Sequence, residues 1–386
     1  MNSLIADDIM ISNNISNYLR FLRYSLEKNS EKPNNLQSMD WYGLFEFSKR
    51  QCIIGVIFDG VSRLDAKTPH PETTLLYKWL QQAEQLKRTN LKINDDVVKL
   101  YNRVLKAGFP GCILKGQGNN TMYPNPWVRT PGDIDIWLQG NEGDILNYAR
   151  KFDSTAIANY HHVQLRMPDI STPVEIHFTP SFCGNLFYNK RMREYFDQHA
   201  DEQFKNKITL PNEIGEISIP TDSFNRIFQL SHTMHHFFFE GIGLRQIIDY
   251  YYLLKRDIDD VDKEEEVKTL KYLGMYKFAR AMMYVQHTIF GLDRRYMSVE
   301  PSERLGKILL KEILFAGNFG FYDHRYKFKG KSRMGQFLLE VYRNLHFAFY
   351  FPAEALFGRP VFRFWHQFEK MRIENSAKSR KLKKNL

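Results

Sequence analysis

One short stretch, residues 133–138, constrains this chain more than any other. It reads Asp-Ile-Asp-Ile-Trp-Leu, and its alternation of carboxylates with apolar residues predicts a β-strand. Successive side chains on a strand point to opposite faces, so Asp133 and Asp135 share one face. Two carboxylates side by side on a buried strand repel each other unless a cation lies between them. The stretch therefore predicts a divalent metal ion, and a metal held in this way commonly handles phosphates.

A shorter apolar strand and a Lys-Gly turn precede the carboxylates. Residues 112–115 form the strand candidate, and Lys115-Gly116 follows its apolar part. A glycine lets the backbone approach a phosphate closely, and the N–H groups of such a turn, with a helix beginning there, attract anions. We therefore predict that Lys115 and Gly116 bind a triphosphate. Arg129 is near enough in sequence to Asp133 to reach the same anion.

A third strand candidate, residues 173–178, places Glu175 and His177 on one face. If its polar face aligns with that of the first carboxylate strand, three carboxylates and a histidine meet. Such a set can hold two Mg²⁺ ions (or Mn²⁺), one activating an attacking hydroxyl and one neutralising the leaving phosphates. Glu175 is thus the predicted third metal ligand. His177 either contacts a phosphate or forms a hydrogen bond with Glu175 or a backbone group.

Periodicity along the chain predicts an α+β fold with a small mixed β-sheet embedded between helical regions. Apolar residues recur at helical spacing over 40–64 and 72–107, and again after residue 220. Between them lie the three strand candidates, a helix candidate at 141–152, and a strand at 161–167 that pairs with 174–178 as a hairpin. The predicted domains are an N-terminal helical region (1–107), an α/β core (108–219), a C-terminal helical region (220–370) and a basic flexible tail (371–386).

Charge and composition limit the kinds of partner that this chain is expected to bind. The 386 residues carry a net charge of +10, and half of that excess lies in the last nine residues. The body is only mildly basic, which does not imply a uniform nucleic-acid-binding surface, whereas the tail could make weak membrane-surface or nucleic-acid contacts. Three widely separated cysteines favour a reducing cytoplasm. The N-terminus lacks the pattern of a signal peptide, and no apolar run is long enough to predict a transmembrane segment.

These motifs resemble the polymerase-beta-like nucleotidyltransferase superfamily, in which a turn ending in glycine precedes an Asp-x-Asp strand and a third acidic strand. The closer resemblance is to a family of uncharacterised bacterial nucleotidyltransferases. It is carried from about Asp40 to about Leu254 by the following segments: Leu114-Lys115-Gly116, Tyr123-Pro124, Arg129, Gly132-Asp133-Ile-Asp135, Val174-Glu175-Ile-His177 and Leu244-Arg245-Gln-Ile-Ile-Asp249. The superfamily's usual Gly-Ser is Gly116-Gln117 here.

The resemblance implies Mg²⁺-dependent transfer of a nucleoside monophosphate from a nucleoside triphosphate, such as ATP, with release of pyrophosphate. Asp133, Asp135 and Glu175 are the implied metal ligands and catalytic residues. Lys115, Gly116, Arg129 and His177 are the implied nucleotide contacts. The acceptor stays open between a small molecule, a sugar or lipid intermediate, RNA and a protein side chain.

Other readings remain. A glycosyltransferase also uses Asp-x-Asp, although there the motif ends a strand after a long N-terminal α/β unit. A module of the same fold that binds a nucleotide or partner without catalysis is a further alternative. The tripeptide alone is weak, because Asp257-Ile-Asp259 repeats it in a charged linker. His232 and His236 have the i, i+4 spacing of a helical metal pair but lack an evident third ligand, and Arg245 and Asp249 are expected to form a structural pair.

Overall fold

The computed structural model describes residues 13–256, 262–323, 325, 332–355 and 358–384. The repeated tripeptide at 257–259 lies outside the described residues. The helices are α1 (Asn13–Leu26), α2 (Trp41–Arg50), α3 (Ile54–Ser62), α4 (Thr73–Lys106), α5 (Gly116–Asn120), α6 (Glu142–Ala149), α7 (Leu186–Gln198), α8 (Ala200–Lys205), α9 (Asp222–Phe239), α10 (Leu244–Leu254), α11 (Lys263–Tyr272), α12 (Tyr276–Phe290), α13 (Glu303–Ala316), α14 (Arg333–Leu345), α15 (Pro352–Ala355) and α16 (Gly358–Lys384). The strands are β1 (Gly111–Leu114), β2 (Ile134–Leu138), β3 (His162–Met167), β4 (Ile170–His177), β5 (Lys207–Thr209) and β6 (Glu216–Ser218).

The predicted α+β class is confirmed. Four strands form a mixed sheet in the order β1-β2-β4-β3, in which β2 and β4 are parallel and the outer pairs are antiparallel. The described residues before β1 contain helices and no strand. A separate antiparallel pair, β5 and β6, follows the sheet and was not foreseen in the sequence.

The hairpin of β3 and β4 is tighter than predicted. Strand β4 begins at Ile170, so its turn is confined to Pro168-Asp169 instead of extending to Pro173. Pro173 is accommodated inside the strand because the register shifts opposite it, between Leu165 and Met167. Asp96 of α4 stabilises this irregularity by accepting hydrogen bonds from Ser171 and Thr172.

The two faces of the sheet have different roles. Ile113, Ile136 and Ile176 point to one face, where they pack in a buried cluster with residues of α4 and α6. The opposite face carries the polar residues of β2 and β4. There Trp137 stacks on Phe224 of α9 with ring centroids 6.0 Å apart, so α9 lies across the polar side of the sheet. The alternation noted in the sequence thus separates a core face from a site face.

The expected flexible tail is instead helical up to Lys384. Helix α16 packs along α6, and its residues Ile373 and Ala377 are fully buried in the same cluster as the sheet. Ion pairs join the two helices through Arg150–Glu374 (2.8 Å) and Arg380–Asp144. The tail was predicted to be flexible because this segment contains few apolar residues and many charged ones. In the structure, several of those charged residues form ion pairs with residues of α6 or at its end.

Two further sequence expectations can be placed on the described residues. None of the described helices is long and apolar enough to cross a membrane. Cys52, Cys112 and Cys183 are all free thiols.

Aromatic side chains near the C-terminus, Phe349 and Phe364, are largely exposed. Their contact with a membrane surface or with nucleic acid stays a prediction.

Candidate active site

The strand register assembles the site. Asp135 on β2 lies opposite Glu175 on β4, and the next pair along that face is Trp137 with His177. On the other side of β2, Leu114 at the end of β1 is opposite Asp135, so Lys115 directly follows the level of the carboxylates. Four of the residues predicted from sequence, Lys115, Asp135, Glu175 and His177, therefore come together on one face.

Asp135 is the buried centre of the site. Its Oδ1 is 2.9 Å from Nε2 of His177 and 3.1 Å from Nζ of Lys115. Burial alone raises the pKa of a carboxyl group, but the Lys115 ammonium and the His177 hydrogen bond outweigh it and lower the pKa of Asp135. Asp135 is thus a carboxylate stabilised by two cationic neighbours.

Asp133 has the opposite environment. It precedes β2, and its side chain is exposed to solvent at the mouth of the cavity. The charge of Asp135, followed by desolvation, raises the pKa of Asp133 from 3.8 to about 6, and Lys115 only partly offsets this. The electrostatic repulsion inferred from the sequence therefore falls on Asp133 and not on Asp135.

Glu175 and His177 extend the cluster toward β3. Oε2 of Glu175 is 3.6 Å from Nε2 of His177, and Oε1 is 3.7 Å from Nε2 of His162. Although burial opposes protonation, hydrogen bonds to Asp135 and Glu175 raise the pKa of His177 to about 9. Its other ring nitrogen, Nδ1, is buried and has no hydrogen-bond partner among the described residues. His177 therefore forms a hydrogen bond with Asp135 and lies within ion-pair distance of Glu175, and its predicted contact with a phosphate stays a prediction.

The Lys-Gly turn has an unusual backbone. Lys115 has φ 52° and ψ −142°, and Gly116 also lies at positive φ. A positive φ is rare for a residue with a side chain, and such strain is held only by the surrounding contacts. Here the Lys115 ammonium donates to Nε2 of His232 on α9 at 3.0 Å while contacting Asp135. Burial and the charge of Lys115 hold the pKa of His232 well below its usual value, which keeps it an acceptor.

Arg129 is held in place by a buried carboxylate of α10. Its guanidinium donates two hydrogen bonds of 2.8 Å to the carboxylate of Asp249 on α10, and both side chains are buried. Tyr123 donates to the same carboxylate at 2.6 Å. Asp249 thus pairs with Arg129 across 120 residues of sequence, and the charge of Arg245 acts on the same carboxyl group and contributes to its lowered pKa. Arg245 also donates to the carbonyl of Thr130, in the loop that leads to Asp133.

Buried amides fix the loop between β1 and β2. Asn90 of α4 donates to the carbonyls of Trp127 and Arg129. Gln117 donates to the carbonyl of Asn90, and Asn119 donates to Asp249. Because each buried amide is bonded to another element, this network positions α5 and the loop before Asp133 relative to α4 and α10.

A cavity beside the carboxylates is lined by three of the four predicted nucleotide contacts. Its lining includes Lys115, Gly116, Arg129, Asp133 and Asp135, together with residues of α9 and α10 such as His232 and Arg245. Glu175 and His177 are not among its lining residues; they adjoin it through Asp135. A second cleft of about 420 Å³ opens on the β3 side and is lined by histidines, aromatic rings, amides and one carboxylate, among them His161, His162, His235 and Phe182.

The histidines of the site were only partly foreseen. His232 accepts a hydrogen bond from Lys115 and His236 contacts Glu240 at 2.9 Å, so these two residues at i, i+4 have different partners. His161 and His162 were not singled out. The signal was present in the predicted hairpin, since pairing 161–167 with 174–178 brings the start of β3 next to His177, and the observed register pairs His162 with His177.

The donor set suits a cation. Asp135, Glu175 and His177 each offer one ligand atom, and these atoms lie within 4.8 Å of one another. Carboxylate oxygens are the preferred ligands of Mg²⁺ and Mn²⁺. Two of the three predicted metal ligands, Asp135 and Glu175, therefore belong to a group that could hold such an ion, whereas a metal contact of Asp133 stays a prediction.

The small mixed sheet, its neighbouring acidic strands and the Lys-Gly turn are the features of a nucleotidyltransferase. A profile of the family described as "Uncharacterised nucleotidyltransferase" matches residues 37–291, about two thirds of the sequence. The chain belongs to this family. Searches of curated proteins and of solved structures each gave no match.

Proposed function

We propose that this protein is a metal-dependent enzyme that transfers a nucleoside monophosphate from a nucleoside triphosphate to a hydroxyl-bearing acceptor. One observation carries the proposal: Asp135 lies opposite Glu175 on parallel strands, and Nζ of Lys115 is 3.1 Å from Oδ1 of Asp135. Lys115 and Asp135 both line the cavity. Membership of the nucleotidyltransferase family supports the same chemistry. The proposal extends to the cation, the nucleotide and the acceptor.

The reaction is an in-line displacement at the α-phosphorus. The acceptor hydroxyl loses its proton, its oxygen bonds to the α-phosphorus, and the bond from that phosphorus to the β-bridging oxygen breaks. Pyrophosphate leaves with the electron pair. Such reactions depend on positioning and charge neutralisation, since the attacking and leaving oxygens must be aligned.

Each site residue has a role in this proposal. Asp133, Asp135 and Glu175 would hold Mg²⁺ or Mn²⁺, which when bound neutralises phosphate charge and activates the acceptor oxygen. Lys115 would exchange its contact with Asp135 for a phosphate oxygen, and Gly116 would leave room for the phosphates. Arg129 would act from its fixed position on Asp249, because its two hydrogen bonds to that carboxylate leave it little freedom to move.

The β3-side cleft is the proposed acceptor site. It meets the carboxylate cluster at His162, and its described lining contains aromatic rings, histidines, amides and the carboxylate of Glu340, but neither lysine nor arginine. Aromatic rings and neutral polar groups suit an uncharged, hydroxyl-rich small molecule, such as a sugar derivative. RNA would require basic groups for its phosphates. A small hydroxylated acceptor is therefore favoured over RNA.

The test is to incubate purified protein and Mg²⁺ with cell extract and each triphosphate labelled in turn at its α- and γ-phosphates. Nucleotidyl transfer puts the α-label on an acceptor and releases the γ-label in pyrophosphate. Treatment with ribonuclease or protease then sorts the acceptor class. Label transferred from the γ-position would contradict the proposal, because that result indicates phosphoryl transfer.

A non-catalytic module would behave differently. It would bind nucleotide with Mg²⁺ and label no acceptor in any extract. The glycosyltransferase alternative is disfavoured because the described residues before β1 are helical, and because the carboxylates begin β2 instead of following a nucleotide-binding α/β unit. Calorimetry that compares the binding of ATP with that of a sugar nucleotide separates a nucleotidyltransferase from a glycosyltransferase.

A further inference from the structure

A second arginine, Arg245 near the start of α10, lines the same cavity as Arg129. Its Nη1 donates to the carbonyl oxygens of Thr130 and Pro131 at 3.3 and 3.5 Å. Both contacts are longer than an ordinary N–H···O hydrogen bond, and both acceptors are neutral. An anionic acceptor would form a shorter and stronger bond with this guanidinium, so a ligand could displace the two carbonyls.

The carboxylate of Asp249 attracts Arg245, but its hydrogen-bonding positions are filled by other residues. Its Oδ1 accepts from Tyr123 at 2.6 Å and from Nε of Arg129 at 2.8 Å. Its Oδ2 accepts from Nη2 of Arg129 at 2.8 Å and from Asn119 at 3.1 Å. A carboxylate offers about four lone-pair positions, and these four hydrogen bonds occupy them. Asp249 therefore fixes Arg129 in place and acts on Arg245 through its charge.

The charges of the two arginines are consequently balanced to different degrees. Burial opposes the charged form of Arg129, but the charge and hydrogen bonds of Asp249 outweigh burial and raise the pKa of Arg129. For Arg245, burial and the neighbouring charge of Arg129 outweigh the attraction of Asp249 and lower the pKa. An anion bound beside Arg245 would favour its charged form and so would itself be held there.

We propose that Arg245 binds a phosphate group of the nucleoside triphosphate. This inference rests on the proposed function, whose nucleotide would lie in the cavity that Arg245 lines. A guanidinium presents a planar fork of N–H donors that matches two phosphate oxygens. The fork of Arg129 is already bonded to Asp249, whereas Arg245 can exchange carbonyl oxygens for phosphate oxygens. Arg245 is thus the arginine of the cavity that turns toward the ligand.

Binding of inorganic tripolyphosphate tests this role, because it measures phosphate recognition apart from nucleotidyl transfer. Calorimetric titration of the full chain with tripolyphosphate and Mg²⁺ should show binding by wild type. Arg245→Gln should weaken this binding at least about 10-fold, because charge-assisted hydrogen bonds are lost. Arg245→Lys keeps the charge without the fork, so its affinity should lie between the two. The control is Arg294→Gln, which alters an exposed pair with Glu300 and should bind as wild type does.

A purely structural role for Arg245 would give a different result. If the side chain only holds the loop before Asp133, Arg245→Gln should melt at a lower temperature and yet bind tripolyphosphate as tightly as wild type wherever both are folded. That result, or a wild type that binds no tripolyphosphate, would overturn the inference. If the glutamine variant does not fold, Arg245→Lys takes its place, and wild-type affinity in the lysine variant would likewise overturn it.

The outcome is separate from that of the transfer assay. Labelled acceptor together with unchanged tripolyphosphate binding by Arg245→Gln would refute only the role of Arg245. Tripolyphosphate binding that depends on Arg245, with no labelled acceptor in any extract, would refute only the transfer reaction.

Discussion

Asp133 and Asp135 lie two residues apart at the start of one strand, yet their carboxylates are in opposite electrostatic environments. Asp135 is buried and ion-paired with Lys115 and His177, which lower its pKa. Asp133 is exposed and lies beside the charge of Asp135, which raises its pKa to about 6. A cation bound between them would relieve the charge repulsion at Asp133 and would compete with Lys115 and His177 for Asp135. The two residues should therefore respond differently to substitution.

Asp133→Asn should raise the melting temperature in the presence of chelator, or leave it unchanged. The folded-state pKa of about 6 exceeds the ordinary 3.8, so the folded state binds more protons than the unfolded chain between these values. The stability contribution of Asp133 consequently falls as pH rises from about 4 to about 6. Thermal melts across this range should show the variant gaining on wild type as pH rises, and a variant that loses stability would contradict the assignment.

Asp135→Asn should lower the free energy of unfolding by about 3 kcal/mol, since it leaves the buried His177 and the partly buried Lys115 without their carboxylate. Denaturant melts of the metal-free protein measure this loss. Asp65→Asn is the matched control, because its ion pair with Lys32 is exposed and should contribute little to stability. Equal losses in the two variants would show that Asp135 is not held by its neighbours.

Asp249→Asn should cost about 3–5 kcal/mol, because it leaves the buried guanidinium of Arg129 without its counter-charge. The pair Arg103–Asp169, whose carboxylate is exposed, provides the control, and Asp169→Asn should have little effect on stability. Replacing both Arg129 and Asp249 by apolar residues should recover much of the loss. A double variant as unstable as Asp249→Asn would contradict a role of this pair in folding.

Ile373→Ala tests the packing of α16. Ile373 is fully buried against the sheet cluster, so its truncation should cost about 2–4 kcal/mol. Leu382→Ala in the same helix removes a side chain that is 67% exposed and should have little effect. If the two variants melt alike, the C-terminal segment does not contribute to the core.

The parts of the site that depend on strand alternation could be read from the sequence. Asp133, Asp135, Glu175 and His177 follow from period-two patterns in short strands, and β1 leads directly to Lys115. The Arg129–Asp249 pair could not be inferred, because it depends on how α10 packs against a loop 120 residues away in sequence. The helical state of residues 371–384 was also hidden, since α16 buries few apolar residues and is held largely by ion pairs.

His162 lies between these two cases. The hairpin was predicted, and its register alone would have placed this histidine beside His177. Its contacts with Asn159 and His161 and its approach to Glu175 depend on tertiary packing, which sets the positions of these side chains. The local sequence pattern thus identified Asp135 and Glu175, whereas the position of His162 beside them could be seen only in the three-dimensional structure.

The most direct test of the central claim is the rate of transfer of α-label to the acceptor in cell extract, compared between wild type and Asp135→Asn. We expect Mg²⁺- or Mn²⁺-dependent labelling by wild type and a loss of at least about 100-fold in the variant, measured at a temperature where both are folded. Asp65→Asn, which alters an exposed ion pair, should label as wild type does. Full transfer by Asp135→Asn would contradict the assignment of this carboxylate as the centre of a metal-dependent nucleotidyltransferase.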